Sequence, residues 1–134
     1  HWPMRAGIWL LKRLANSPRP LGRLVGRGLG LVLWWTLRSR RRVARRNIAL
    51  CFPELDTVAR EQLVRASFRS IGLGGYEFVR AWWGPPIHEP YVLEGLEHME
   101  LDRAAGRGVL LLAGHFMTLE LCGRMLCRHF PLAG

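Results

Sequence analysis

Apolar positions in the first part of this chain recur with a helical period. Over residues 2–15, WPMRAGIWLLKRLA, the residues Met4, Ile8, Leu10, Leu11 and Leu14 fall on one side of a helical wheel. Arg5, Lys12 and Arg13 fall on the other side, with Trp2 and Trp9 among the cations. Indole rings beside snorkelling cations suit a lipid headgroup layer, and an ordinary amphipathic surface helix fits the segment equally well. NSPRP at 16–20 breaks the pattern. A second helix is predicted over LGRLVGRGLGLVLWWTL at 21–37, where Gly22, Gly26 and Gly30 recur every four residues and give one smooth face. Such a face lets another helix or a lipid tail come close, and Arg23 and Arg27 can reach phosphates. The alternative is a core helix weakened by glycine. Beyond Pro53, Asp56 or Thr57 can cap a further helix. There Val64, Phe68, Ile71, Gly75, Phe78 and Trp82 form a stripe predicted to be core. Gly72, Gly74 and Gly75 mark a kink or a close neighbour in its middle, and GPP at 84–86 ends it.

The period then changes. YVLEG at 91–95 reads as a short strand, LEHMELDRAAGRG as a short helix with a glycine stop, and VLLLAG at 109–114 as an apolar strand of a sheet covered on both faces. MTLELCGRMLCRHF is helical again. The order strand, helix, strand, helix predicts an α/β fold with a parallel first pair. The boundary is placed at residue 53, with a basic, amphipathic, membrane-associated helical region at 1–53 and the start of an α/β domain at 54–134.

Composition sharpens this picture. The chain has 134 residues, 49% hydrophobic and 22% charged, which excludes a disordered composition. It begins at His1 and is expected to be a piece of a longer protein. Residues 54–134 sum to −2, so the net charge of +10 arises from residues 1–53, which hold twelve Lys or Arg and no acid. Six of these, Arg38, Arg40, Arg41, Arg42, Arg45 and Arg46, fall within nine residues. A run of this kind after two hydrophobic segments points to an anionic membrane surface. An arginine-rich nucleic-acid arm is the alternative, although such arms are usually embedded in polar sequence. Cys51, Cys122 and Cys127 match no metal or redox spacing and are expected to be reduced, partly buried thiols of a cytoplasmic protein. The longest stretch free of Asp, Glu, Lys and Arg is Gly108–Leu119, too short to span a bilayer.

The candidate chemistry lies in GVLLLAGHFMTLELCG at 108–123. In open α/β sheets ligands collect beyond the carboxyl ends of strands, where His115 would stand. Glu120 follows five positions later, and on one continuous helix the two side chains would be about 140° apart. They can meet only if His115 sits in a loop and the helix starts near Thr118. Glu120 would then lie in the first turn, where the helix dipole favours a carboxylate. A carboxylate that fixes the imidazole tautomer makes a general base able to take a proton from a substrate hydroxyl. No nucleophilic Ser or Cys stands at an elbow, so the pair fits direct transfer. Gly114, Phe116, Thr118 and Arg124 are the candidate substrate-binding residues, with Gly114 allowing close approach. No metal site is predicted, and His1, His88, His98 and His129 are read as structural or surface residues.

Three ordered blocks carry a resemblance: RRNIALCFPEL, then YVLEGLEHME, then GVLLLAGHFMTLEL. Together they resemble the late acyltransferases of lipid A biosynthesis, the lauroyl/myristoyl transferase family, and cover about the N-terminal half of a family member. The resemblance implies a glycerolipid-acyltransferase-like mixed or parallel sheet with flanking helices. It implies transfer of a fatty acyl chain from acyl carrier protein to a hydroxyl of the Kdo-bearing lipid A precursor, at the cytoplasmic face of the bacterial inner membrane. His115 matches the family's catalytic histidine and Glu120 its carboxylate partner; no cofactor is implied. The chain departs from the family in its N-terminal anchor, which is shorter and interrupted by Lys12, Arg13 and NSPRP. Competing readings are a nonenzymatic module that binds anionic membrane surfaces, and a nucleic-acid binder.

Overall fold

A computed structural model describes residues 2–86 and 91–130. The described residues form six helices: α1 (Trp2–Ala15), α2 (Arg19–Thr36), α3 (Arg38–Cys51), α4 (Thr57–Trp83), α5 (Leu96–Ala104) and α6 (Leu119–Leu126). The long helix α4 is the spine, with α1, α2, α3 and α6 all packed against it.

Local sequence sets most helix ends. Pro20 lies in the first turn of α2, where its missing N–H is harmless. Leu37 leaves helical geometry at φ −89° and ψ 58°, so α2 and α3 meet at a one-residue joint. Arg60 closes α3 by donating to the Phe52 and Pro53 carbonyls at 3.2 and 2.5 Å. Asp56 caps α4 by accepting from the Ala59 N–H at 2.7 Å, which removes one orphan donor of the first turn. Gly95 takes a left-handed conformation (φ 81°) ahead of α5, which glycine adopts without strain.

The core lies where α2 crosses α4. Gly22, Gly26 and Gly30 are all buried, as is Gly72 on the facing helix. A methyl group on Gly72 would stand 2.2 Å from the Gly26 carbonyl oxygen and 2.4 Å from the Gly30 nitrogen. The glycine spacing of α2 therefore marks a backbone-to-backbone helix contact. Ala15, Tyr76 and Val79 form a second small core with Leu14 and Trp83, seating α1 on the C-terminal part of α4. Asn16 ties the two elements by donating to the Trp83 carbonyl at 3.0 Å.

Three expectations are corrected. The α/β fold is not found: no strand occurs among the described residues, and 91–95 and 109–114 are irregular. A strand is held by hydrogen bonds to its neighbours, and a sheet needs more than a lone pair of short segments to be stable. No ladder joins these two, and Leu110 and Leu112 are almost fully exposed. The α4 stripe is right at two of its six positions, and Gly75 is among those that are exposed. Val64 and Phe68 are core, but Ile71, Phe78 and Trp82 are exposed, and burial passes instead through Gly72, Tyr76 and Val79. Close approach of the α2 backbone requires a glycine at the crossing, and this turns the bulkier stripe away. The cysteines are free as expected, but all three are exposed. No described helix is long and apolar enough to cross a membrane.

Candidate active site and basic face

The GHF segment forms a tight reversal. The Phe116 N–H donates to the Gly114 carbonyl at 2.9 Å, a three-residue γ-turn with His115 at its centre. The Phe116 ring folds back over Gly114, where a Cβ would stand 2.5 Å from it. Glycine at 114 is thus what lets the loop turn and presents His115, which is exposed, to solvent. A second turn, with the Leu119 N–H donating to the Phe116 carbonyl at 3.2 Å, leads into α6. That helix starts immediately after Thr118, with half-buried Glu120 in its first turn. Thr118 occupies the cap position without a side-chain capping bond; its hydroxyl lies 3.9 Å from the Cys122 thiol. Among the described residues, no hydrogen bond or ion pair joins His115 to Glu120. The two groups share one loop-to-helix junction.

That junction is fixed to the spine. Arg124, on α6, donates through both terminal nitrogens to the carbonyls of Arg80 and Gly84, at 2.6 and 2.8 Å. Both carbonyls lie at the C-terminal end of α4, where the helix dipole favours a cation; that of Arg80 also accepts from the Gly84 N–H at 2.9 Å. Arg124, expected to bind substrate, is therefore seen as the anchor of α6. Met117, in the loop, packs on Gly74, where a Cβ would stand 3.2 Å from its sulfur. The anchoring role leaves no sequence signal, since Arg80 and Arg124 are 44 positions apart.

The remaining histidines divide. His129 makes a 3.0 Å hydrogen bond with the Tyr91 hydroxyl and packs edge-on against that ring, a structural role. His98 is exposed beside Glu97 at 3.8 Å. His1 and His88 lie outside the described residues.

The predicted basic patch on α3 falls into two groups. Arg38, Arg40, Arg42 and Arg46 are exposed. Arg41, which is half-buried, and Arg45, which is also exposed, stack on Trp34, with guanidinium carbons 4.7 and 5.7 Å from the ring centroid. Arg41 also donates to the Trp34 carbonyl, and Arg45 makes a two-pronged bond to Glu61, both prongs at 2.8 Å. The Arg45 hydrogen bonds hold the Glu61 carboxyl below the usual carboxylate range, against the opposing effect of desolvation. Arg65 of α4 adds a third guanidinium over Trp34, at 5.4 Å. Sequence reasoning did not single out Trp34 as this hub. Its partners sit on two other helices, beyond the break at Leu37, so no helical period connects them.

Compared with known proteins, residues 1–134 match the family described as bacterial lipid A biosynthesis acyltransferase. The chain is 34% identical over 136 residues to the lipid A biosynthesis lauroyltransferase of Escherichia coli (strain K12), covering 100% of this chain and 44% of that protein. It is 31% identical over 128 residues to the lipid A biosynthesis palmitoleoyltransferase of the same strain, covering 94% of this chain and 42% of that protein. A lipid A biosynthesis acyltransferase of Haemophilus influenzae is 31% identical over 138 residues, covering 100% of this chain and 44% of that protein. The chain thus spans less than half the length of these curated relatives. No solved structure matches it.

Proposed function

Since the chain belongs to the bacterial lipid A biosynthesis acyltransferase family, we propose that its protein moves a fatty acyl chain from acyl carrier protein to a hydroxyl of the Kdo-bearing lipid A precursor. His115 is the general base and Glu120 its carboxylate partner. One imidazole nitrogen takes the proton of the acceptor hydroxyl as its oxygen attacks the thioester carbonyl. A carbon–oxygen bond forms, the carbon–sulfur bond breaks, and the imidazolium returns its proton to the departing thiolate. Glu120 selects the tautomer and stabilises the imidazolium between these steps. The observation that carries this reading is the γ-turn that presents His115 one turn ahead of the helix bearing Glu120. Gly114, Phe116 and Thr118, in the same loop, contact the acyl donor or acceptor in this reading.

The division at residue 53 follows charge and role: residues 1–53 hold the protein to the cytoplasmic face of the inner membrane, and 54–134 bring the reacting groups to it. Exposed Arg38, Arg40, Arg42 and Arg46 favour anionic partners, whether acyl carrier protein, phosphorylated acceptor or membrane.

The test is acyl transfer by the intact protein with acyl carrier protein thioester and lipid A precursor. His115→Ala is expected to lower turnover about 10²–10⁴-fold. Glu120→Gln is expected to lower it less and to shift its pH profile. Turnover retained by His115→Ala would remove the histidine from this role.

A further inference from the structure

An open groove of 740 Å³ runs between α2 and α4, on the side of the crossing that carries Trp34. Its walls combine three cations, Arg27, Arg65 and Arg69, with the apolar side chains of Leu31, Trp35 and Leu73. The volume lies within the range of small-molecule sites. None of these groups belongs to the α3 basic run or to the His115 loop.

The electrostatics of the groove are unbalanced. Arg41, Arg45 and Arg65 crowd the Trp34 ring, and Glu61 is the carboxylate that answers Arg45 and Arg65. The buried Arg41 Nε has no hydrogen-bond partner among the described residues. Arg27 and Arg69 are exposed and make no ion pair among the described residues. Guanidinium groups arranged around an open space take phosphate oxygens in two-pronged bonds. The neighbouring surface is not that of a site for a free anion. Leu31 and Trp35 are 59% and 64% exposed beside these cations, an uncovered apolar strip on the same helix face.

We propose that this groove binds the phosphodiester headgroup of an anionic glycerophospholipid, with Arg27 and Arg69 on the phosphate and the acyl chains lying along Leu31 and Trp35. Arg65 is held over Trp34, with Glu61 3.9 Å away, and adds positive potential. Trp34 also lines the groove. The apolar strip decides between partners that share phosphate chemistry. Trp35 could stack on a base, but Leu31 and Leu73 present aliphatic surface to the groove, which the hydrocarbon of a lipid covers and a ribose or base does not. The site orients the helices α2 and α4 on a bilayer and is independent of acyl transfer, because its readout is binding.

The experiment is co-flotation of the intact protein with phosphatidylcholine vesicles, with and without phosphatidylglycerol. Arg27→Gln/Arg69→Gln is compared with Arg38→Gln/Arg40→Gln, which removes the same charge from the exposed run. The groove pair is expected to weaken binding to phosphatidylglycerol vesicles roughly tenfold or more, as the loss of charge-assisted bonds implies, and the α3 pair clearly less. Arg27→Lys/Arg69→Lys keeps the charge and is expected to recover part of the binding. Equal losses for the two glutamine pairs would overturn the proposal. So would equal binding to neutral vesicles, displacement of the protein by millimolar inorganic phosphate, or tighter binding to a single-stranded oligonucleotide through the same two arginines.

Discussion

Replacing Gly72 by alanine isolates the physical basis of the α2–α4 crossing. The new methyl would sit 2.2 Å from the Gly26 oxygen, 2.4 Å from the Gly30 nitrogen and 2.7 Å from the Gly30 Cα. Ordinary contact begins at 3.4 Å, so the shortest of these is about 1 Å too close. All three atoms are backbone, and no side chain can swing aside. The helices must separate, which also loosens Gly22 against Tyr76 and Gly30 against the Phe68 carbonyl. Overpacking of this kind costs about 1–3 kcal/mol, and more where nothing yields. Alanine gains about 1 kcal/mol of helix propensity over glycine, which offsets part of it. The net expectation is a loss of about 2 kcal/mol. Gly28 provides the internal control: it lies on the same helix as Gly26 with nothing within 4 Å of its Cβ position. Gly28→Ala should therefore stabilise by up to about 1 kcal/mol. Urea unfolding followed by far-ultraviolet circular dichroism reads both midpoints. A Gly72→Ala protein as stable as Gly28→Ala would refute the crossing.

Two further outcomes follow from side-chain geometry. Glu61 has its carboxyl lowered by Arg45, so the pair contributes fully above the ordinary carboxylate value of about 4.3 and is lost as pH falls through the lower folded value. With the two side chains 47% and 32% exposed, the contribution is at most about 1 kcal/mol. Unfolding measured from neutral to acid pH should be less steep for Glu61→Gln, and an unchanged slope would exclude this group. Arg124→Ala removes two charge-assisted bonds to the end of α4, about 2 kcal/mol of local stability. Amide hydrogen exchange should then quicken in α6 while the α2–α4 crossing stays protected; unchanged exchange in α6 would show that the anchor is not needed.

Segments whose evidence is local were legible along the chain. The helix limits set by Pro20, Pro53, Asp56 and Gly84, the smooth face of Gly22, Gly26 and Gly30, and the start of α6 after Thr118 each depend on neighbours within a turn or two. Family membership was legible for a different reason: three blocks in fixed order form a long joint pattern that chance spacing does not produce. The same reasoning failed for 109–114, because an apolar run states only that burial is wanted and not which partner supplies it. It failed for Ile71, Gly75, Phe78 and Trp82 of the α4 stripe because periodicity marks several apolar faces and cannot rank them. Which face is buried depends on which side α2 can approach most closely, and Gly72 on α4, facing Gly26 and Gly30 on α2, lets the two backbones meet. The placement of Arg124 at the end of α4, and of three arginines around Trp34, likewise depends on helix packing. Those contacts join residues far apart in the chain, and they exist only once the spine has brought their helices together.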